Sequence, residues 1–174
     1  RNFLSWRGGT WAENPHVLNT PASAGPSTSE SILTRIFRQR KLDVAQSQTI
    51  PGRSLADLEA SIALQLDPVR IDFPRRLLHG TERGIVPGIM AEIKRASPSK
   101  GDIAPNTHAA EQAFLYARSG ANVISVLTEP TWFKGTLEDL VMVRRVVECM
   151  PRRPAILRKD FILDEYQIAE ARLA

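Results

Sequence analysis

Three short stretches of this chain hold residues whose types and spacing suit chemistry. In Met90-Ala91-Glu92-Ile93-Lys94, a strand would put Glu92 and Lys94 on one face and Ala91 and Ile93 on the other. If the Ala/Ile face packs on helices, the acidic and basic pair turns toward the opposite, interior side, where it is costly unless paired or bound to a ligand. It reads either as a structural ion pair or as a lysine held by a carboxylate to meet an anionic substrate. In Leu157-Arg158-Lys159-Asp160-Phe161, Lys159 shares the parity of Leu157 and Phe161, which puts it at the rim of the same interior face. A lysine there suits a general acid, with nearby carboxylates holding it protonated; the plainer alternative is a rim side chain reaching water. Arg158 points the other way, toward a helix or a structural salt bridge. The third stretch, Thr128 to Gly135, places Trp132 and Phe133 side by side in a loop. They suit an apolar lid over a ring-shaped ligand, or packing on neighbouring helices. The loop from Arg95 to Gly101 is no P-loop, because the first glycine is missing and Pro98 removes an amide that a phosphate cradle needs.

These stretches need elements to position them. Apolar runs at Ile89–Ile93, Val123–Leu127 and Ala155–Leu157 read as strands. Between the first two, a helix begins near Thr107, carries Ala110, Ala113, Phe114 and Ala117 on one face and stops at Gly120. The next helix starts at Thr136 with Asp139 in its first turn and turns Leu140, Val143 and Val147 inward. After the third strand, Asp164 with Gln167 resembles a capping box for a helix that continues to Ala174. Strands starting about 32 to 34 residues apart, each followed by a helix, are β/α units of a parallel sheet.

Ahead of them, residues 29–87 read as a helical extension. Ile32, Leu33, Ile36, Phe37 and Val44 recur at helical spacing, with Thr28, Ser29 or Ser31 as cap. Arg35, Arg38, Arg40 and Lys41 are expected on that helix's solvated face. A second helix opens at Ser54 with Asp57 completing a capping box and Leu55, Leu58 and Ile62 as its stripe; Pro74 opens a short third piece through Leu78. Residues 1–28 read as linker, with the small, polar run Ala22 to Ser29 unable to bury enough apolar surface to order itself. The fold class expected is α/β, with residues 88–174 as the first three β/α units of a barrel whose eight units take about 250 residues. The start at Arg1 without an initiator Met, and a last helix running to Ala174 without a cap, suggest a piece of a longer product. A sheet of three such strands is expected to fold poorly alone.

Composition narrows the classes. The 174 residues include 43% hydrophobic types and carry a net charge of +4, spread along the chain with no basic block interleaved with aromatics. No nucleic-acid partner is expected; a site for an anionic small molecule fits the excess better. One cysteine, Cys149, excludes an internal disulfide, and no Cys/His spacing suggests a metal site. No apolar run approaches the ~20 residues of a membrane span. No membrane partner is expected, and a cytoplasmic location is the default.

Read together, the three stretches resemble indole-3-glycerol-phosphate synthase. The resemblance rests on Ala91-Glu92-Ile93-Lys94-Arg95-Ala96-Ser97-Pro98-Ser99-Lys100-Gly101, on Ser125-Val126-Leu127-Thr128-Glu129 with Phe133-Lys134-Gly135, and on Leu157-Arg158-Lys159-Asp160-Phe161-Ile162. It covers about residues 30 to 174. The stretch Gly8-Gly9-Thr10-Trp11-Ala12-Glu13-Asn14-Pro15 is similar to the linker before this domain in fungal multifunctional tryptophan-biosynthesis proteins. The resemblance implies a (β/α)8 TIM barrel, a carbon–carbon lyase of tryptophan biosynthesis that needs no cofactor or metal. Its substrate would be a phosphosugar-anthranilate, 1-(2-carboxyphenylamino)-1-deoxyribulose 5-phosphate. It further implies a parent with fused glutamine amidotransferase and phosphoribosylanthranilate isomerase domains. By motif position Lys159 would be the general acid, Lys94 would bind anionic groups and Glu92 would orient the lysines. Ser97 would contact the anthranilate carboxylate, and Phe133 and Phe161 would sandwich the ring. The family's second acid/base glutamate and its phosphate loops lie on later strands, so the chain alone is expected to be inactive. Two other readings are an isomerase barrel for a plain phosphosugar and a non-catalytic truncated module. The adjacent aromatics argue against the first, since an aliphatic sugar phosphate offers no ring to hold.

Overall fold

The computed structural model describes residues 30–78 and 88–174. Its first helix, α1 (Ile32–Gln48), is capped by Ser31, whose hydroxyl accepts the Thr34 amide at 3.1 Å. The alternative caps Thr28 and Ser29, and the linker expected over residues 1–28, lie outside the described residues. The buried stripe of α1 is Ile36, Arg40 and Val44, spaced by four. Ile32, Leu33 and Phe37 are each more than a third exposed. Arg40 thus corrects the sequence expectation of a wholly solvated basic face: it is 6% exposed and ion-paired. Helix α2 (Leu55–Ala63) begins with the expected capping box between Ser54 and Asp57. Its Leu58 packs with Val44, Tyr166 and Ala169 in a small core. Helix α3 (Phe73–Leu78) is short, and the Asp72 carboxylate accepts the Arg75 amide at its start.

The strands follow. β1 (Met90–Ile93), β4 (Val123–Leu127) and β5 (Ala155–Lys159) form one parallel sheet in the order β1-β4-β5. A two-residue hairpin, β2 (Ala96–Ser97) with β3 (Gly101–Asp102), interrupts the chain after β1 and was not signalled by any periodicity. Strand β5 is two residues longer than the apolar pattern suggests, because Arg158 and Lys159 still pair with Val126 and Leu127. Side-chain charge decides neither point; the ladder hydrogen bonds do.

Helices α4 (Ala109–Arg118) and α5 (Leu137–Val147) cover one face of the sheet. Ala109, Ala113, Leu140, Val143 and Val147 meet Ile93, Ile124 and Val126 in the main core. On α4 the expected face is rotated: Ala109 and Ala113 are fully buried, while Phe114 is 39% exposed with the Arg118 guanidinium 5.7 Å over its ring. Two alanines let the helix approach the sheet closely, which leaves no space there for a large ring. Helix α6 (Glu165–Leu173) closes the chain against α2 through Tyr166 and Ala169. The capping box expected at its start does not form. Asp164 accepts the Tyr166 amide, and Gln167 instead reaches back to the Leu163 amide at 2.7 Å and to the Phe161 carbonyl at 3.0 Å. Among the described residues no helix is long and apolar enough to cross a membrane.

Candidate active site

The register of the sheet decides which side chains meet. Glu92, Ser125 and Leu157 lie in one row, and Leu127 pairs with Lys159 in the row beyond. Residues in a row point to the same face, so the face away from α4 and α5 carries Glu92, Ser125, Leu127, Leu157 and Lys159. Lys94 follows β1 with the parity of Glu92. All these rows end at the carboxyl ends of the strands, where parallel β/α folds gather their ligands.

The three charged groups converge there. The Lys94 ammonium lies 3.0 Å from Glu92 Oε1, and the Lys159 ammonium donates to Glu92 Oε2. One carboxylate thereby bridges two lysines from the first and third strands of the sheet. Partial burial by itself would raise the Glu92 carboxyl; hydrogen bonds from Lys159 and Lys94, and their charges, outweigh it and hold the group below its usual range. About half of the Lys159 side chain and a third of Lys94 remain exposed, so both keep donors for an incoming group. The arrangement can bind an anion beside Lys94 and deliver a proton from Lys159.

An apolar wall stands beside this cluster. The Phe133 and Phe161 rings are tilted by 49° with centroids 6.2 Å apart, and Phe37 of α1 meets Phe161 edge-on at 5.6 Å. Phe133 and Phe161, the two rings expected to hold the aromatic group, thus stand next to each other on one apolar surface. Trp132 is half-buried next to Phe133. Ser97 sits in the β2–β3 hairpin, where its hydroxyl accepts the Lys100 amide at 3.3 Å. It lies at the same strand end as Lys94, with its contacts local to the turn.

Several residues that the sequence reading missed hold these parts in place. Glu129 is fully buried, and its carboxylate accepts the amides of Thr131, Trp132 and Phe133 at 2.9, 2.7 and 3.0 Å. A carboxylate in a T-E-P turn followed by a glycine six residues later is the signal that could have revealed it. That glycine, Gly135, donates to the Glu129 carbonyl, and a Cβ there would lie 1.9 Å from the Leu127 carbonyl oxygen. Arg95 ties three segments together through the Thr107 and Lys134 carbonyls and a two-pronged contact with Asp139. Burial would raise Asp139, but the guanidinium and the Thr136 cap prevail and lower it. Asp160 is buried between Arg40, Arg158 and Thr128. Arg158 does point away from Lys159, as its parity requires, and also bonds Glu170 and the Gln167 carbonyl of α6. Among the described residues no group of three His, Cys, Asp or Glu side chains could hold a metal.

Comparison with known proteins agrees with this geometry. A family model described as indole-3-glycerol phosphate synthase matches residues 33–174. The chain is 48% identical over 185 residues to a multifunctional tryptophan biosynthesis protein of Phanerodontia chrysosporium, covering 99% of this chain and 23% of that protein. It is 47% identical over 174 residues to a protein of the same description from Pichia angusta, covering 100% of this chain and 45% of that one. To an indole-3-glycerol phosphate synthase of Nocardioides sp. it is 44% identical over 144 residues, covering 83% of this chain and 50% of that protein. The chain therefore spans between about a quarter and a half of the length of these relatives. With the match running from α1 to the end of α6 and taking in every residue of the lysine cluster, the chain belongs to the indole-3-glycerol phosphate synthase family.

Proposed function

We propose that this chain supplies the first three β/α units of a (β/α)8 barrel that closes the indole ring of indole-3-glycerol phosphate. The observation that carries the reading is Glu92, whose carboxylate holds Lys94 and Lys159 at the ends of the first and third strands of the sheet, beside the Phe133–Phe161 wall. The reaction forms a carbon–carbon bond between the aromatic ring of 1-(2-carboxyphenylamino)-1-deoxyribulose 5-phosphate and its sugar carbonyl carbon. The carboxyl group leaves as carbon dioxide, and the former carbonyl oxygen leaves as water.

Each group has a part in that sequence. Lys159 gives a proton to the carbonyl oxygen as the ring carbon attacks, which removes the need to form an alkoxide. Lys94 binds anionic groups of the substrate, and Glu92 keeps both ammonium groups aimed inward. Phe133 and Phe161 receive the aromatic ring on their shared surface, and Ser97 contacts the anthranilate carboxylate. The parent protein would carry fused glutamine amidotransferase and phosphoribosylanthranilate isomerase domains, a cytoplasmic location and no cofactor. The measurement is the rate of indole-3-glycerol phosphate formation by a protein of the relatives' full length bearing this sequence. Lys159→Met is expected to lower kcat by about 10²- to 10⁴-fold, the range of a lost general acid. An unchanged rate would remove Lys159 from that role.

A further inference from the structure

Helix α1 precedes the sheet by some forty residues, yet two of its side chains, one turn apart, end on the two residues that follow Lys159. Arg40 Nη2 donates to Asp160 Oδ2 at 2.9 Å, and Phe37 sets its ring edge-on against Phe161 at an interplanar angle of 77°. The Arg40 side chain is 7% exposed and that of Asp160 fully buried. Asp160 Oδ2 also takes hydrogen bonds from the Thr128 hydroxyl at 2.7 Å and from Arg158 Nη2 at 3.1 Å, while Oδ1 takes the Phe161 amide at 2.8 Å. The carboxylate thus knots the ends of β4 and β5 together directly behind Lys159. Arg40 completes the knot from α1 and is itself braced by Asp43 at 2.9 Å.

We propose that α1 is the back wall of the active site, with Arg40 and Phe37 as positioning residues that fix the Lys159–Asp160–Phe161 segment. This rests on the ring-closure reading above. Arg40 Nε is buried with no hydrogen-bond partner, a cost that mere coverage of a helix face would not require. Its planar fork serves Asp43 and Asp160 at once, which the single ammonium of a lysine cannot do as well. The two contacts also divide the work. Arg40 acts on the backbone that carries Lys159, and so on the proton transfer. Phe37 acts on the Phe161 ring, and so on binding of the aromatic group.

The test uses a protein of the relatives' full length and steady-state kinetics of ring closure. Arg40→Met is expected to lower kcat about 30-fold with KM within about threefold, the scale of a misplaced catalytic group. Arg40→Lys, which keeps a charge on Asp160, is expected to recover most of that loss. Phe37→Leu is expected to raise KM about fivefold and to change kcat less than about twofold. Val44→Ala is the control on the same helix: it packs only in the small core with Leu58 and Tyr166. It should lower the melting temperature and leave kcat unchanged. The proposal is overturned if Arg40→Met keeps wild-type kcat per folded molecule, or if Val44→Ala lowers kcat as far. Should Arg40→Met fail to fold, Phe37→Leu decides, since an unchanged KM there would also sink the proposal. Failure of the ring-closure reading looks different: Lys159→Met would then turn over like wild type, whatever the Arg40 variants do.

Discussion

Glu92 accepts from two lysines and donates to none, so its ionisation decides whether the cluster keeps its shape. The carboxyl is held below its ordinary value of 4.5, since the two ammonium groups overcome the effect of partial burial. A depressed carboxyl contributes stability that is fully present above the unfolded value and is lost as pH falls through the lower folded value. Denaturant unfolding of the full-length protein against its Glu92→Gln variant checks this. The stability difference between them should be constant above about pH 5 and shrink progressively below pH 4.5. A difference that stays flat down to pH 2 would mean that the lysines do not depend on the charge of Glu92. The parity of a strand made this cluster visible in the sequence, because Glu92, Lys94 and Lys159 had to share a face once their strands were placed. The same parity sent Arg158 elsewhere. Arg40 was hidden because its partner Asp160 lies 120 residues away and polar residues on a helix read as solvated. Only its place midway between Ile36 and Val44, at steps of four, hinted at burial.

At the scale of elements, the segment from Thr128 to Thr136 shows how a loop is made rigid enough to present an aromatic ring. Its framework is not apolar burial but one carboxylate facing inward on three amide donors. Glu129→Gln replaces one acceptor oxygen with an amide group that donates, so at least one buried N–H is left facing another donor. That should cost about 1–3 kcal/mol and raise hydrogen exchange at Thr131, Trp132 and Phe133 selectively. Gly135→Ala should open the same loop by another route, since its Cβ would collide with the Leu127 carbonyl and force the backbone away. Both variants are expected to raise the substrate KM; exchange that stays protected in Glu129→Gln would show that the carboxylate is dispensable. The sequence reading found the helix cap that ends this loop, Thr136 with Asp139, because capping is local chemistry. It could not find the Glu129 cage or the extra two residues of β5, which depend on where a neighbouring backbone runs. The failed capping box at Asp164 has the same cause: Gln167 is drawn to the Phe161 carbonyl by the strand end and not by its own helix.

At the scale of the molecule, the α/β class followed from strand starts about 32 residues apart, since a strand, its crossover helix and their loops together take about that length. What that spacing leaves open is the second face of the sheet. Parallel sheets are stable when both faces are covered, and among the described residues α4 and α5 bury only one. On the other, Val123, Ser125 and Leu127 of the central strand are buried, but Met90 is 43% exposed, as are about half of the Lys159 side chain and a third of Lys94. Among the described residues the sheet order β1-β4-β5 also leaves one side of β1 and one side of β5 without a strand neighbour, and unpaired edges of this kind template association with other chains. The 174-residue chain on its own is therefore expected to melt broadly, to bind a dye for exposed apolar surface and to associate as its concentration rises. A protein of the relatives' length, in which further strands can pair with both edges, should lose the dye signal and melt cooperatively. The comparison is direct, because the local elements are the same in both. Helix caps and the two cores would keep far-ultraviolet helical signal in the short chain, so circular dichroism alone would not separate them. Dye binding and melting width would, and a short chain that melts sharply without binding dye would mean that the open face and edges are already satisfied within these residues.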